Sequence, residues 1–211
     1  ADVVLEHQAV LVQGDRIAAI VSQDEADARF RAKEVIDLPS HVVLPGLINM
    51  HGNAAMSLFR GLADDLPLMT WLNDHIWPAE GAFVSEAFIA DGTQLAMAEM
   101  LRTGTTTFSD MYFFPEIVAQ LAHDAGMRAQ ICFPLLDFPT PWGSGPDEYL
   151  SKGEAFIKQW QDNAFIMPAI GPHAPYTVSD EPLRKAVALS EATGAPIQIH
   201  LHETAFEVAD A

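Results

Sequence analysis

Along the first forty positions the apolar residues come in short runs. AVLVQGDRIAAIV, residues 9–21, holds two such runs around Gly14-Asp15, and KEVIDLP ends a third at Pro39. A glycine-containing turn pair between β-branched runs predicts a hairpin, so residues 1–40 read as the N-terminal part of a small β-sandwich domain with little helical periodicity. From Val42 the pattern changes. Val42–Met50 is a largely apolar stretch, with Asn49 near its end, that reads as a buried strand, and LPLMTWLNDHIW follows with helical spacing. SEAFIADGTQLAMAEMLRTG predicts a helix started by Ser85 and stopped at Gly104. Strands are expected over 105–111 and 128–136, with a helix over 115–125 between them and a loop at 138–146; residues 147–163 carry no assignment. FIMPAIGPHAPY predicts a fourth strand, SDEPLRKAVALSEATG a capped helix and PIQIHLHE a fifth strand.

Alternation of strand and helix implies a parallel sheet, because parallel neighbours need helical crossovers. Polar side chains recur where the strands stop: His51, Asp110, Asp137, His173 and His200. Barrel enzymes build their sites at those carboxyl ends, so residues 41–211 read as a (β/α)8 TIM-type barrel rather than a doubly wound sheet. About five βα units fit into this length. The expectation is therefore a chain that stops early or is completed by another polypeptide.

Eleven basic against twenty-nine acidic residues give a net charge of −18. Such a field disfavours nucleic acid and anionic membranes, which are held by cationic side chains, and leaves a small neutral or zwitterionic substrate open. The single cysteine, Cys132, sits in an apolar run and reads as buried filler; with no disulfide possible within the chain, a reducing cytoplasm is the expected location. No segment reaches the roughly 18 apolar residues of a membrane span.

The strand-end histidines are the chemical candidates. Asn49, His51 and Asn53 alternate along one strand and would share a face, as would Gln198, His200 and His202 on the fifth. Imidazoles converging at a barrel mouth suit zinc or iron, and catalytic sites use about three protein ligands with one position open. Glu203, just past the pair, is placed to move a proton. Each residue also has a plainer reading. A strand-end histidine is often only hydrogen-bonded, His173 in GPHAPYT could hold a loop, and Asp110 and Asp137 could be caps or loop acceptors. His7, His41, His75 and His123 have no partner pattern, and Trp71 and Trp77 read by default as helix core.

PGLINMHGNAAMSLFRGLADDLPLMTWLNDHIWPAE, GTTTFSDMYFF, GPHAPYTV and IHLHETAFEV together resemble the amidohydrolase superfamily, and within it the 5-methylthioadenosine/S-adenosylhomocysteine deaminase group, near the guanine deaminase and triazine hydrolase branch. The resemblance implies a barrel with a β-sandwich and one Zn²⁺ ion per subunit, with Fe²⁺ as the alternative. It implies metal ligands at His51 and His200, with Asn53 standing where the family has a second histidine. It further implies a proton-shuttling Glu203 and substrate contacts at Trp71, Glu80 and His173. The arginine expected after the third strand has no counterpart in TPWGSGPDEYL.

The expected activity is hydrolytic deamination of adenine thionucleosides, S-adenosylhomocysteine or 5′-methylthioadenosine, to the inosyl product and ammonia. The partner is then a small nucleoside, with no nucleic acid and no membrane, and the complete form is expected to be a homo-oligomer. The alternatives are a related enzyme acting on guanine or a triazine, and a metal-poor degenerate binding protein, for which Asn53 and the expected shortfall of strands are the motives.

Overall fold

The computed structural model describes residues 4–210, and contacts divide the chain into two units, Ala1–Leu44 and Pro45–Ala211. In the first, strands β1 (Gln8–Gln13) and β2 (Arg16–Ser22) pair antiparallel. Gly14 takes φ +62° at the turn, a conformation that costs glycine little. Helix α1 (Gln23–Arg29) follows directly, its first turn capped by the Ser22 hydroxyl, which accepts from the Glu25 amide at 3.2 Å. This helix corrects the all-strand reading, and its cue lies in the sequence as Ser22-Gln23-Asp24-Glu25, a capping box. KEVIDLP is a second correction. It forms no strand, Val35 and Ile36 are exposed, and no neighbouring strand among the described residues offers it a ladder.

The second unit is a four-stranded parallel sheet in the order β3 (Leu47–Gly52), β4 (Thr105–Met111), β5 (Arg128–Leu135), β6 (Ile166–Pro172). β3 starts later than the apolar run suggested, because Pro45 brings no N–H to a ladder. A helical stretch runs from α2 (Leu68–Trp71) through a wide turn (Leu72–Ile76) into α3 (Trp77–Phe83). α4 (Glu86–Arg102) carries the expected Ser85 cap, whose hydroxyl accepts from the Phe88 amide. α5 (Pro115–Asp124), α6 (Pro146–Trp160) and α7 (Asp180–Thr193) supply the later crossovers, and α8 (Ala205–Asp210) closes the described chain. α6 fills the stretch left unassigned. Ser179 begins α7 without capping it: its side chain makes no cap bond, and its amide donates instead to Asp137.

The fifth strand is present in place but not in regularity. Pro196–His200 runs beside β6 with Ile170 N–H donating to Pro196 O, Gln198 N–H to Ile170 O and His200 N–H to His173 O, yet only one bridge, Ile170 to Ile197, forms. The architecture is the α/β barrel type with its first parallel strands in sequence order. One sheet face packs against the helices around Phe108, Ile131, Phe133 and Ile170. The other carries Met111, Cys132 and Ala169 beside a polar set, in which Gln198 Oε1 accepts from Ser109 and Gln130.

Candidate active site

The pairing of β3 with β4 slips between Asn49 and Gly52, so the strand alternation expected to align Asn49, His51 and Asn53 is lost. Asn49 and Asn53 border a hollow of about 370 Å³ on the α4 side, next to Asp110, and Asn53 also lines the larger cavity described below. His51 turns instead to His200. The two Nε2 atoms lie 3.1 Å apart, with the rings nearly perpendicular at a centroid distance of 4.7 Å. His200 Nδ1 meets the His173 carbonyl at 2.7 Å. A carbonyl only accepts, so His200 Nδ1 carries a proton, and in the neutral tautomer this leaves the Nε2 lone pair for a metal. His202 does not join this pair: its φ of +55° breaks the extended backbone and leaves the side chain exposed.

Below the histidines opens a cavity of about 410 Å³, lined among others by Trp71, Trp77, Glu80, Tyr112, His173, His200 and Glu203. The wide turn in the α2–α3 stretch explains how one helix supplies so many of these groups. At 3.6 residues per turn, positions 71 and 76 would stand about 140° apart, whereas an i→i+5 turn brings them to one side. Leu72, Ile76 and Trp77 thereby face the same space as Trp71 and Glu80. Trp77, expected in the core, is a wall of this cavity and packs edge-on to Phe138. The Trp71 indole N–H donates to Ala63 O at 3.1 Å, which fixes its ring.

The ionisable groups are unusually placed. Glu80 is 8% exposed and accepts a 2.7 Å hydrogen bond from the Tyr112 hydroxyl. Burial pushes its carboxyl up to about 7, with the Tyr112 bond pulling the other way. Burial, aided by the charges of His200 and His51, pushes His173 down to about 4; its Nδ1 lies 2.8 Å from the Thr177 hydroxyl. His51 is lowered by burial and then by His200, with Glu203 opposing. His51 and His173 are therefore neutral near pH 7, the form in which imidazole binds metals. Glu203 accepts from the Tyr176 hydroxyl at 2.9 Å. Asp110, wholly buried, accepts from the Ala54 amide at 2.6 Å and is pushed up to about 7 by desolvation. Asp137 accepts from Ser179 N–H, so both of these aspartates are acceptors that brace loops.

Two nitrogens each about 2.0–2.1 Å from one ion can be at most about 4.2 Å apart, so the 3.1 Å separation of His51 and His200 is compatible with sharing zinc. Asn53 is different. With its amide turned to satisfy its neighbours, the NH₂ donates to Met111 O at 3.1 Å and Gly52 O at 3.0 Å. No group of three or more His, Cys, Asp or Glu side chains suited to a metal occurs among the described residues. Tyr112 and Tyr176, which hold the two cavity glutamates, were missed as functional residues although both stand inside quoted motifs, DMYFF and HAPYTV.

A deaminase of 5-methylthioadenosine/S-adenosylhomocysteine from Saccharophagus degradans is 61% identical over 205 residues, covering 97% of this chain and 46% of the relative. The 5′-deoxyadenosine deaminase of Methanocaldococcus jannaschii is 42% identical over 207 residues, or 96% of this chain and 48% of the relative. The chain thus spans about half the length of the curated relatives it matches. Among solved structures, an adenosine deaminase from Xanthomonas campestris with bound zinc superposes with a TM-score of 0.96 at 44% identity, over 99% of this chain and 48% of that one. Guanine deaminase from C. acetobutylicum, at 21% identity and a TM-score of 0.85, shares the fold. The model of the amidohydrolase family matches residues 42–211, and the chain belongs to that family.

Proposed function

We propose that the chain forms part of a hydrolytic deaminase acting on adenine thionucleosides, with S-adenosylhomocysteine and 5′-methylthioadenosine as substrates. One observation carries the reading: a buried carboxylate with a hydroxyl partner, Glu80, shares an indole-walled cavity with His173, His200 and Glu203. Such a space suits a purine against Trp71 and Trp77 and a sugar against Glu80. His51 and His200 would hold a divalent ion, zinc or iron, with Asn53 as the candidate third ligand. When bound, that ion would supply a water acidified to near neutrality.

The chain's own residues do the rest. Glu203, held through one oxygen by Tyr176, takes a proton from the attacking water and delivers it to the purine ring nitrogen. The resulting hydroxide adds at C6; the new C6 hydroxyl then gives its proton, by way of Glu203, to the amine as the C6–N bond breaks, so that ammonia leaves, C6=O remains and the ring nitrogen keeps the first proton. His173, neutral and oriented by Thr177, hydrogen-bonds the substrate beside the reacting carbon. The relatives named for deamination of 5-methylthioadenosine, S-adenosylhomocysteine and 5′-deoxyadenosine support the adenine ring as the target.

A second reading has its own observation. Asn53 offers a metal only an amide oxygen, a weak ligand for zinc, and the two imidazoles that meet, His51 and His200, are fewer than the three protein ligands of a catalytic zinc site, so a nucleoside-binding protein that holds metal weakly fits as well. Ammonia release from S-adenosylhomocysteine, 5′-methylthioadenosine, guanine and a triazine, measured with zinc or iron supplied, separates the readings. Release from the two thionucleosides alone supports the proposal. Release from guanine or the triazine alone transfers the chemistry to that ring, and nucleoside binding without release favours the second reading.

A further inference from the structure

We infer that Tyr112 is a positioning residue that sets selectivity for a ligand carrying adjacent hydroxyls, by holding one oxygen of Glu80 so that the other is free to accept from them. The inference rests on the nucleoside reading above. Tyr112 directly follows β4 and Glu80 comes from α3, and a 2.7 Å bond between the two side chains joins these parts of the chain. Both side chains are buried and both line the cavity. Tyr112 gives its only proton to Glu80 Oε1, so it cannot also donate to a ligand. Glu80 Oε2 has no protein partner among the described hydrogen bonds and is not one of the enclosed unpartnered atoms, so its acceptor capacity is directed at cavity contents.

The hydroxyl has a second effect. Desolvation favours the protonated acid, and a hydrogen bond to the carboxylate opposes this. Removing it leaves a Glu80 that is more often neutral and free to rotate, and a neutral, mobile acid is a poorer acceptor for two hydroxyls at fixed spacing. The consequence is specific. A ligand with both ribose hydroxyls should lose affinity in Tyr112→Phe, and one lacking them should not.

The test is binding of inosine and 2′,3′-dideoxyinosine, neither of which the proposed reaction consumes, followed by calorimetry or by quenching of tryptophan fluorescence. The wild-type protein should prefer inosine by at least about tenfold, the worth of one hydrogen bond to a charged group. Tyr112→Phe should bring that ratio close to one while leaving dideoxyinosine affinity unchanged. General damage to the cavity would weaken both ligands together. Should Tyr112→Phe fail to fold, Glu80→Asp provides the same check, since a carboxylate one methylene shorter stays in the cavity but loses Tyr112; its ratio should fall likewise. A tenfold preference that survives either folded variant overturns the role of Tyr112 and leaves the nucleoside reading standing. A wild-type protein that binds neither nucleoside overturns both.

Discussion

Replacing Glu80 by Gln should stabilise the protein at alkaline pH and change it little in acid. The carboxyl is 8% exposed, and burial raises it from about 4.5 to about 7. A carboxyl raised on folding makes the folded state bind the proton more tightly than the unfolded chain. Stability is therefore full below about 4.5 and is lost as pH climbs from there to about 7. A rise of 2.5 units, 7 minus 4.5, at 1.36 kcal/mol per unit is about 3 kcal/mol once both states are ionised. Glutamine keeps an oxygen to accept from Tyr112 and never ionises, so it escapes this loss. Asp110 is raised in the same way, but it is present in both proteins and cancels in the comparison. Urea unfolding of the two proteins should show Glu80→Gln more stable by about 3 kcal/mol at pH 8 and by under about 1 kcal/mol at pH 5. An equal difference at the two pH values, or a less stable glutamine variant at pH 8, would refute the claim that Glu80 is ionised against the cost of burial.

Other perturbations probe the site from different sides. Asn53→His should tighten zinc binding by at least about tenfold in equilibrium dialysis, because it offers imidazole nitrogen in place of a weakly donating amide oxygen. Glu203→Gln should leave zinc content unchanged and lower ammonia release by about 10²–10⁴-fold in the active protein, since it keeps shape and removes the proton acceptor. Gly92→Ala, in an α4 interior where alanine would ordinarily help, should instead cost about 1–3 kcal/mol in urea unfolding. Its Cβ would come within 2.4 Å of Ala55 O and 2.8 Å of Ala55 Cα, backbone atoms of the turn just after Asn53.

β4, β5, β6, α4, α5 and α7 were legible because each has an apolar run or period bounded by a recognisable stop. α6 was equally legible and overlooked: Tyr149, Gly153, Phe156, Ile157 and Trp160 recur at helical spacing, and all are buried. α1 was hidden by the expectation of strands around it. The failure of KEVIDLP and the irregularity of the fifth strand have another origin, since ladders depend on a neighbour and not on propensity alone. The meeting of His51 with His200 joins positions 149 residues apart, and it was foreseen only because strand ends converge in a barrel. The bond of Tyr112 to Glu80 had no such guide. It depends on the wide turn in the α2–α3 stretch, which rotates Glu80 into the cavity and which no residue in LPLMTWLNDHIW announces.

The proposed chemistry depends most directly on His51 and His200 holding a divalent ion together. Zinc affinity of the wild-type protein, His51→Ala, His200→Ala and the double variant, measured by competition with a chromogenic chelator at fixed pH, tests it. Each single variant should lose at least about 10–100-fold in affinity, and the double variant should lose little more than either single, because two ligands of one ion fail as a unit. Unchanged zinc affinity in either single variant would contradict the claim and leave the 3.1 Å contact as an ordinary hydrogen bond between two histidines.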